Sequence, residues 1–422
     1  MHFLTSGPQT LNGTVAVSGA KNSATRVLAA ALLSDGQVAL RNFPLMLEDA
    51  KAKIAFMQKM GATCTPNSAR SELTIESPVL SVDGIDSYDL PIRTTYLLAA
   101  GTLARNGHAR IPYPGGCKIG SRGYDQHVMV WERLGCTVTE HPEYIEAVGN
   151  LTGGTIDFAI STVGGTENAL MCAAVAQGET VIRNAYVTPE VADLIAFLRE
   201  MGAQIEQQGA SLIRVQGAGG LLRGASFAIM PDRIEALTWI VLAAVTGSTL
   251  RIENVPFDAM EVPLIHLRDA GLDLYRNSTG VMVSPACIGL HGLQPFELAC
   301  GTHPGVISDM QSFFVFLALF GNGTSRIWDY RYPERIAYAH ELARFAPGAI
   351  EAEAGKITVH GPARLQGAEA TSTDLRGSMA LIMAALCAEG KSRVKGVTLA
   401  LRGYNDLPGK LARLGVRAEW AA

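Results

Sequence analysis

The chain has 422 residues, 48% of them hydrophobic and 18% charged, with a formal net charge of -4. That length exceeds the usual span of one hydrophobic core, so two domains are predicted. The charge balance argues against nucleic acid as the main partner, and the apolar content with 44 glycines excludes a disordered chain and fits a packed α/β protein. The longest apolar run, at residues 237–245, is too short to span a bilayer. The opening MHFLTSGPQTL lacks the basic-then-apolar order of a secretory signal, so a cytoplasmic protein is expected. Seven scattered cysteines with no Cys-x-x-Cys pair signal neither a disulfide framework nor a zinc site, and they fit a reducing compartment.

Along the chain one pattern recurs six times. An apolar run closing on glycine and followed by a short strand reads LAAALLSDGQVAL, LAAGTLARNGHARI, CAAVAQGETVI, VLAAVTGSTLRI, LALFGNGTSRI and MAALCAEGKSRV. The glycines are Gly36, Gly107, Gly178, Gly247, Gly323 and Gly390, spaced by roughly 70 residues. About 25 residues after each comes an amphipathic helix closing on a small residue before another strand, as in MQKMGATC and LREMGAQI. Ala346 replaces the glycine in the fifth copy. About fourteen residues, or four helical turns, before each first glycine stand Asn22, Arg93, Gly164, Arg233, Asp309 and Arg376.

These six residues should open the apolar helix of their repeats, and helix starts with free N–H groups attract anions. Each repeat is predicted as strand, helix, strand, strand or loop, helix, strand. The first helix is apolar on every side and therefore buried, while the second is amphipathic, with Ile54, Met57 and Met60 facing one way in the first copy. That pattern places helices inside and sheets outside, three repeats to a lobe. One lobe is assigned residues 22–230 and the other residues 1–21 with 231–422, the first strand completing the second lobe. A substrate cleft between lobes is the expected consequence.

The segment IPYPGGCKIGSRGYDQHV sets Cys117 in a glycine-rich loop between Lys118 and Arg122. Cations depress a thiol pKa, which suits a nucleophile or proton donor; the alternative is a small apolar plug at the loop base. Lys21, Arg93, Arg122, Arg233, Arg335, Arg376 and Arg402 recur at helix starts or in second loops of the repeats, several beside glycine. Taken singly each reads as a surface charge; taken together they suit phosphate and carboxylate oxygens. Asp232 and Asp374 read best as helix N-caps. Asp309 fills a slot where other repeats carry arginine, and a carboxylate among cations can orient or deprotonate a hydroxyl. His127, Glu190 and His303 are weaker candidates. No Walker loop, HExxH or strand-linked GxGxxG occurs, so no metal or redox cofactor is called for.

The motifs SGAKN (18–22), IRTT (92–95), PGGCKIGSR (114–122), TVGGTEN (162–168), MPDRIE (230–235), SDMQ (308–311), TDLR (373–376) and RGY (402–404) resemble those of the enolpyruvyl transferase superfamily. The PGGC loop points to its UDP-N-acetylglucosamine 1-carboxyvinyltransferase branch rather than to EPSP synthase. The resemblance implies a two-domain inside-out α/β barrel built from six repeats, and small-molecule substrates, phosphoenolpyruvate and a uridine nucleotide, with neither membrane nor nucleic acid as partner. It implies that Lys21, Arg122 and Arg402 hold phosphoenolpyruvate, reinforced by Arg93, Arg335 and Arg376. Cys117 would protonate the enol carbon and be the target of fosfomycin, and Asp309 would sit at the acceptor hydroxyl. Asn22 would bind the acceptor, with Thr162, Val163, Gly164 and His127 along the nucleotide. Arg26 follows an EPSP-synthase habit and would also meet the acceptor. Together with Gly123 and Asn405, which stand where this branch has proline and glutamate, it keeps open a relative that uses the 3′-OH of UMP.

Overall fold

The computed structural model describes residues 1–77, 79–82, 84, 93–113 and 123–422. They fall into two compact units, one of Met1–Ser18 with Pro231–Ala422 and the other of the residues between Gly19 and Met230, each with its own hydrophobic core. The described residues form six sheets, three in each unit.

The apolar helices lie inside their units because they have no polar face to show to water. Along Val163–Val175 every residue from Gly165 on is buried. In Arg233–Val245 and Leu375–Cys387 all but the last residue are buried. The second helices are amphipathic and lie at the margin of the core. Pro189–Glu200 buries Val191, Leu194, Ile195 and Leu198, an i, i+3, i+4, i+7 stripe, behind a Thr188 N-cap. In Glu48–Lys59 the stripe differs from the expectation. Asp49, Ala50, Lys53, Phe56 and Met57 are buried while Ile54 is half-buried, because the Lys53 ammonium finds an internal acceptor.

Strands alternate buried and open residues, as in Lys356–His360, where Ile357 and Val359 point inward. Each sheet thus packs one face on helices and leaves the other open, as antiparallel sheets can. The repeat runs strand, helix, strand, helix, strand, strand. Two antiparallel strands close it where one was expected, since the residues after the second helix turn back on themselves. Thr155–Asp157 pairs in parallel with Gln177–Arg183, which pairs antiparallel with Leu212–Ala218 and through it with Gln204–Gln208. Glu297–Cys300, Thr324–Asp329, Lys356–His360 and Ile350–Glu353 repeat that order.

Two strands are exchanged between repeats. Asn12–Ala16 leads into the Lys21–Ala30 helix yet pairs in parallel with Thr249–Glu253. Ala225–Ala228 leads into the Arg233–Val245 helix yet pairs in parallel with Val38–Arg41. Among the described residues the chain therefore changes unit twice, at Ser18–Gly19 and at Met230–Pro231. Asp232 N–H donates to Ser18 O in one unit and Ala20 N–H to Met230 O in the other. Lys21 accordingly belongs with the residues up to Met230, not with the segment 1–21 to which the repeats assigned it. His2–Gly7 lies between Gly390–Lys395 and Ala418–Ala421, so the first strand supplies what the sixth repeat lacks.

Candidate active site

In the unit holding the C-terminus, three helix starts and one loop arginine build a charged cluster. Asp309 lies in the tight turn Ser308–Met310 that opens Gln311–Ala318. Arg335 donates from Nη1 to Asp309 Oδ1 at 2.8 Å and to Ser308 O at 2.9 Å, and from Nη2 to Asp374 Oδ1 at 2.7 Å. Asp374 meanwhile caps Leu375–Cys387, accepting from Arg376 N and Gly377 N. Asp232 caps Arg233–Val245 in the same way, through Ile234 N and Glu235 N. Both capping assignments hold, and Asp374 adds an ion pair to its cap.

Arg376 is almost wholly buried, with Nε 3.6 Å from Asp309 Oδ2 and its guanidinium 5.4 Å from the Tyr404 ring centroid. The Tyr404 hydroxyl meets Thr238 Oγ1 at 2.8 Å. Burial works against the charge of Arg376, but Tyr404, Asp232 and Asp309 outweigh it and hold its pKa above the ordinary arginine value. The same contest, settled by Asp374 and Asp309, raises Arg335. Among the described residues, Arg376 Nε and Nη1 and Arg335 Nε have no hydrogen-bond acceptor. Permanently charged donors in a low-dielectric setting, left with spare N–H groups, suit an anionic ligand. Asp309 is 30% exposed at its side chain while both arginines are under 5%, so the carboxylate is the reachable member of the cluster. Arg402 follows the short helix Thr398–Leu401, half-buried, two residues before Tyr404. His303 lies with Nδ1 3.5 Å from Arg233 Nη1.

The other unit gathers a second set. Lys21 opens Lys21–Ala30 and pairs with Asp49 at 3.0 Å. Arg26, one turn on, donates from Nε to Glu167 at 2.9 Å and from Nη1 to Thr25 Oγ1, with Asn22 Oδ1 at 3.5 Å. Thr162 caps Val163–Val175 through Gly165 N. A Cβ added to Gly164 would lie 3.3 Å from His127 Nε2, so the imidazole stands directly against this helix start. His127 is buried, its ring stacked on Tyr96 at 4.8 Å. Glu190 is a buried first-turn residue of its helix. Lys21, Asn22 and Arg26 thus form one group, and His127, Thr162, Val163 and Gly164 another. Cys117 and Arg122 lie outside the described residues, as does the side chain of Arg93. Burial pushes the Cys64 and Cys136 thiols up to about 11 and Cys387 to about 12. It raises Cys172 and Cys300 too, so these five are poor thiolate sources at neutral pH.

The family model for EPSP synthase (3-phosphoshikimate 1-carboxyvinyltransferase) matches residues 5–411. The chain belongs to this family. A UDP-N-acetylglucosamine 1-carboxyvinyltransferase of Trichlorobacter lovleyi is 35% identical over 418 residues, covering 98% of this chain and 97% of the relative. Among solved structures, the enolpyruvyl transferase NikO from Streptomyces tendae superposes with a TM-score of 0.89 at 25% identity, covering 99% of this chain and 98% of NikO. An EPSP synthase from Acinetobacter baumannii superposes at 0.74 with 17% identity, covering 99% of both chains. The fold is the two-domain, inside-out α/β barrel of six repeats, and the protein is an enolpyruvyl transferase.

Several residues of this enolpyruvyl transferase that bear on the site escape a reading of motifs. Asp49 and Glu167 hold the cations Lys21 and Arg26. Tyr404 stands against the Arg376 guanidinium and is itself hydrogen-bonded to Thr238. Asp193 accepts from Ser23 Oγ and from Met230 N, beside both ends of its unit. Only Glu167 and Tyr404 lie inside a recognisable motif; the others become partners through contacts far apart in sequence. Among the described residues no group of three His, Cys, Asp or Glu side chains is arranged to hold a metal ion, and no helix is long and apolar enough to cross a membrane.

Proposed function

We propose that the protein transfers the enolpyruvyl group of phosphoenolpyruvate to a hydroxyl of a uridine nucleotide, UDP-N-acetylglucosamine first, releasing phosphate. The observation that carries this reading is the Asp309–Arg335–Arg376 cluster. It offers a reachable carboxylate fixed by buried guanidiniums with spare donors. The names of the relatives at 35–37% identity supply the acceptor.

The chemistry assigned to these residues is an addition followed by an elimination. Asp309 accepts the hydroxyl proton of the acceptor as its oxygen bonds to C2 of phosphoenolpyruvate, and Cys117 delivers a proton to C3. In the resulting tetrahedral ketal C3 is a methyl group. A proton then leaves C3 as the C2–O bond to phosphate breaks, restoring the double bond. Arg376 and Arg335, with Lys21, Arg93, Arg122 and Arg402, hold the phosphate and carboxylate charges through both steps. Asn22 and Arg26 meet the acceptor sugar, and Thr162, Val163, Gly164 and His127 line the nucleotide. Small anionic substrates and the six cysteines among the described residues, all unpaired, fit a cytoplasmic enzyme.

The test is phosphate release from phosphoenolpyruvate in the presence of UDP-N-acetylglucosamine, UMP or neither. Turnover with UDP-N-acetylglucosamine is expected; turnover with UMP alone would replace the acceptor. Cys117→Ser is expected to lower kcat about 10–1,000-fold and to abolish fosfomycin sensitivity. A mutant with wild-type rates and inhibition would remove the thiol from the mechanism.

A further inference from the structure

One ionisable group has no part in the chemistry above and yet lies at the centre of one unit's charges. Lys53, on Glu48–Lys59, is 0% exposed. Its Nζ donates to Thr25 O at 2.6 Å. Thr25 sits in the Lys21–Ala30 helix directly before Arg26, and its hydroxyl joins the Arg26 guanidinium to the backbone of Lys21. Thr25 Oγ1 donates to Lys21 O at 3.1 Å and accepts from Arg26 Nη1 at 3.1 Å.

Burying an ammonium is costly unless opposite charges surround it. Two carboxylates attract it here. Asp49 stands one helical turn before Lys53 on the same helix and pairs with Lys21; Glu167 pairs with Arg26. Burial and the charge of Arg26 pull the Lys53 pKa well below the ordinary lysine value, while Glu167 and Asp49 pull it back. Burial also raises Glu167, against the pull of Arg26 and Lys53. Lys53 is thus attracted by both carboxylates, each of which pairs with one of the cations of the Lys21–Ala30 helix.

We propose that Lys53 is a positioning residue for enolpyruvyl transfer: anchored on Thr25, it shares Asp49 with Lys21 and Glu167 with Arg26, keeping both cations available to substrate. Without Lys53 each carboxylate has a single cation to itself and draws it more tightly, away from an incoming anion. The effect falls on both arms at once because one buried group serves both. This inference rests on the assignment of Lys21 to phosphoenolpyruvate and Arg26 to the acceptor.

The test is steady-state kinetics of the intact enzyme with phosphoenolpyruvate and UDP-N-acetylglucosamine for wild type, Lys53→Met, Lys53→Gln and Asp49→Asn, with thermal unfolding of each. Wild-type turnover is the condition under which the variants speak; its absence would count against the proposed function rather than against Lys53. Lys53→Met should raise KM for both substrates about tenfold with kcat within about threefold. Lys53→Gln, which keeps a donor for Thr25 but no charge, should do the same and carries the test where the methionine variant does not fold. Asp49→Asn should raise KM for phosphoenolpyruvate preferentially. Unchanged KM values, a lowered Tm with unaltered kinetics, or a rise confined to one substrate in the Lys53 variants would overturn the proposal. So would full rescue by glutamine, which would reduce Lys53 to a hydrogen bond on Thr25.

Discussion

Asp309→Asn is expected to lower kcat by about 100- to 10,000-fold while leaving the protein folded. The substitution is nearly isosteric but removes the charge and one acceptor. In the native cluster Oδ1 accepts from Arg335 Nη1 and Oδ2 faces Arg376 Nε. An amide can satisfy only one of these guanidiniums; its NH2 must face the other, donor against donor. The acceptor hydroxyl then meets a group that cannot take its proton. Because the arginines remain, the KM for phosphoenolpyruvate should move far less than kcat. Steady-state rates under saturating substrates check this, and a kcat within tenfold of wild type would assign the hydroxyl proton to another residue.

Arg335→Met is expected to cost about 3–5 kcal/mol of stability, the largest effect on folding that any substitution in this cluster should have. Arg335 is buried, and one guanidinium serves Asp309, Asp374 and the Ser308 carbonyl. Methionine fills most of the space, but it strands Asp374, itself 5% exposed at its side chain, without its counter-ion while it still caps a fully buried helix. Urea denaturation followed by circular dichroism measures the loss. A double-mutant cycle with Asp309→Asn should show coupling, the pair losing less than the sum of the single changes. A loss below about 1 kcal/mol would mean that the pair behaves as a surface ion pair. Activity should fall as well, since Asp309 loses the donor that orients it.

The repeat was readable from sequence because it is written in backbone geometry. Gly61, Gly135, Gly202, Gly271 and Gly415 close their amphipathic helices, and all have positive φ, a conformation that disfavours side chains. In the fifth copy Ala346 takes the helix end and the positive φ passes to Gly348. Gly36 alone among the first markers lacks positive φ; it is glycine because a Cβ would sit 3.0 Å from Gly224 N. The buried helices were readable from their lack of a polar face. Of the two strands that close each repeat, the first, such as Gln204–Gln208, was expected from the break after the amphipathic helix, whereas the second, such as Leu212–Ala218, was not. The exchange of Asn12–Ala16 and Ala225–Ala228 between repeats was not readable either, since strand partners are set by packing and not by the strand's own pattern.

The site divides along the same line. Asp309 and the arginines could be singled out as candidates because they recur at equivalent positions in a repeat. Their partners follow no period. Glu167 is 141 residues from Arg26, and Lys53 is 28 from the carbonyl it holds. A lysine on the buried stripe of an amphipathic helix is a local inconsistency, and that mismatch is the one sequence signal that could have drawn attention to it. The expectation of Ile54 on that face came from counting apolar residues without allowing a charged one to be buried.

The most direct test of an addition–elimination by this enzyme is to run the reaction in D2O with phosphoenolpyruvate and UDP-N-acetylglucosamine and to analyse the nucleotide product by mass spectrometry and NMR. The methyl group formed at C3 takes one deuteron from solvent-exchanged Cys117 and then loses a proton or deuteron, so deuterium should appear at the vinyl carbon of the product. An enolpyruvyl nucleotide formed at full rate without deuterium at C3, or phosphate released with no nucleotide product, would contradict it.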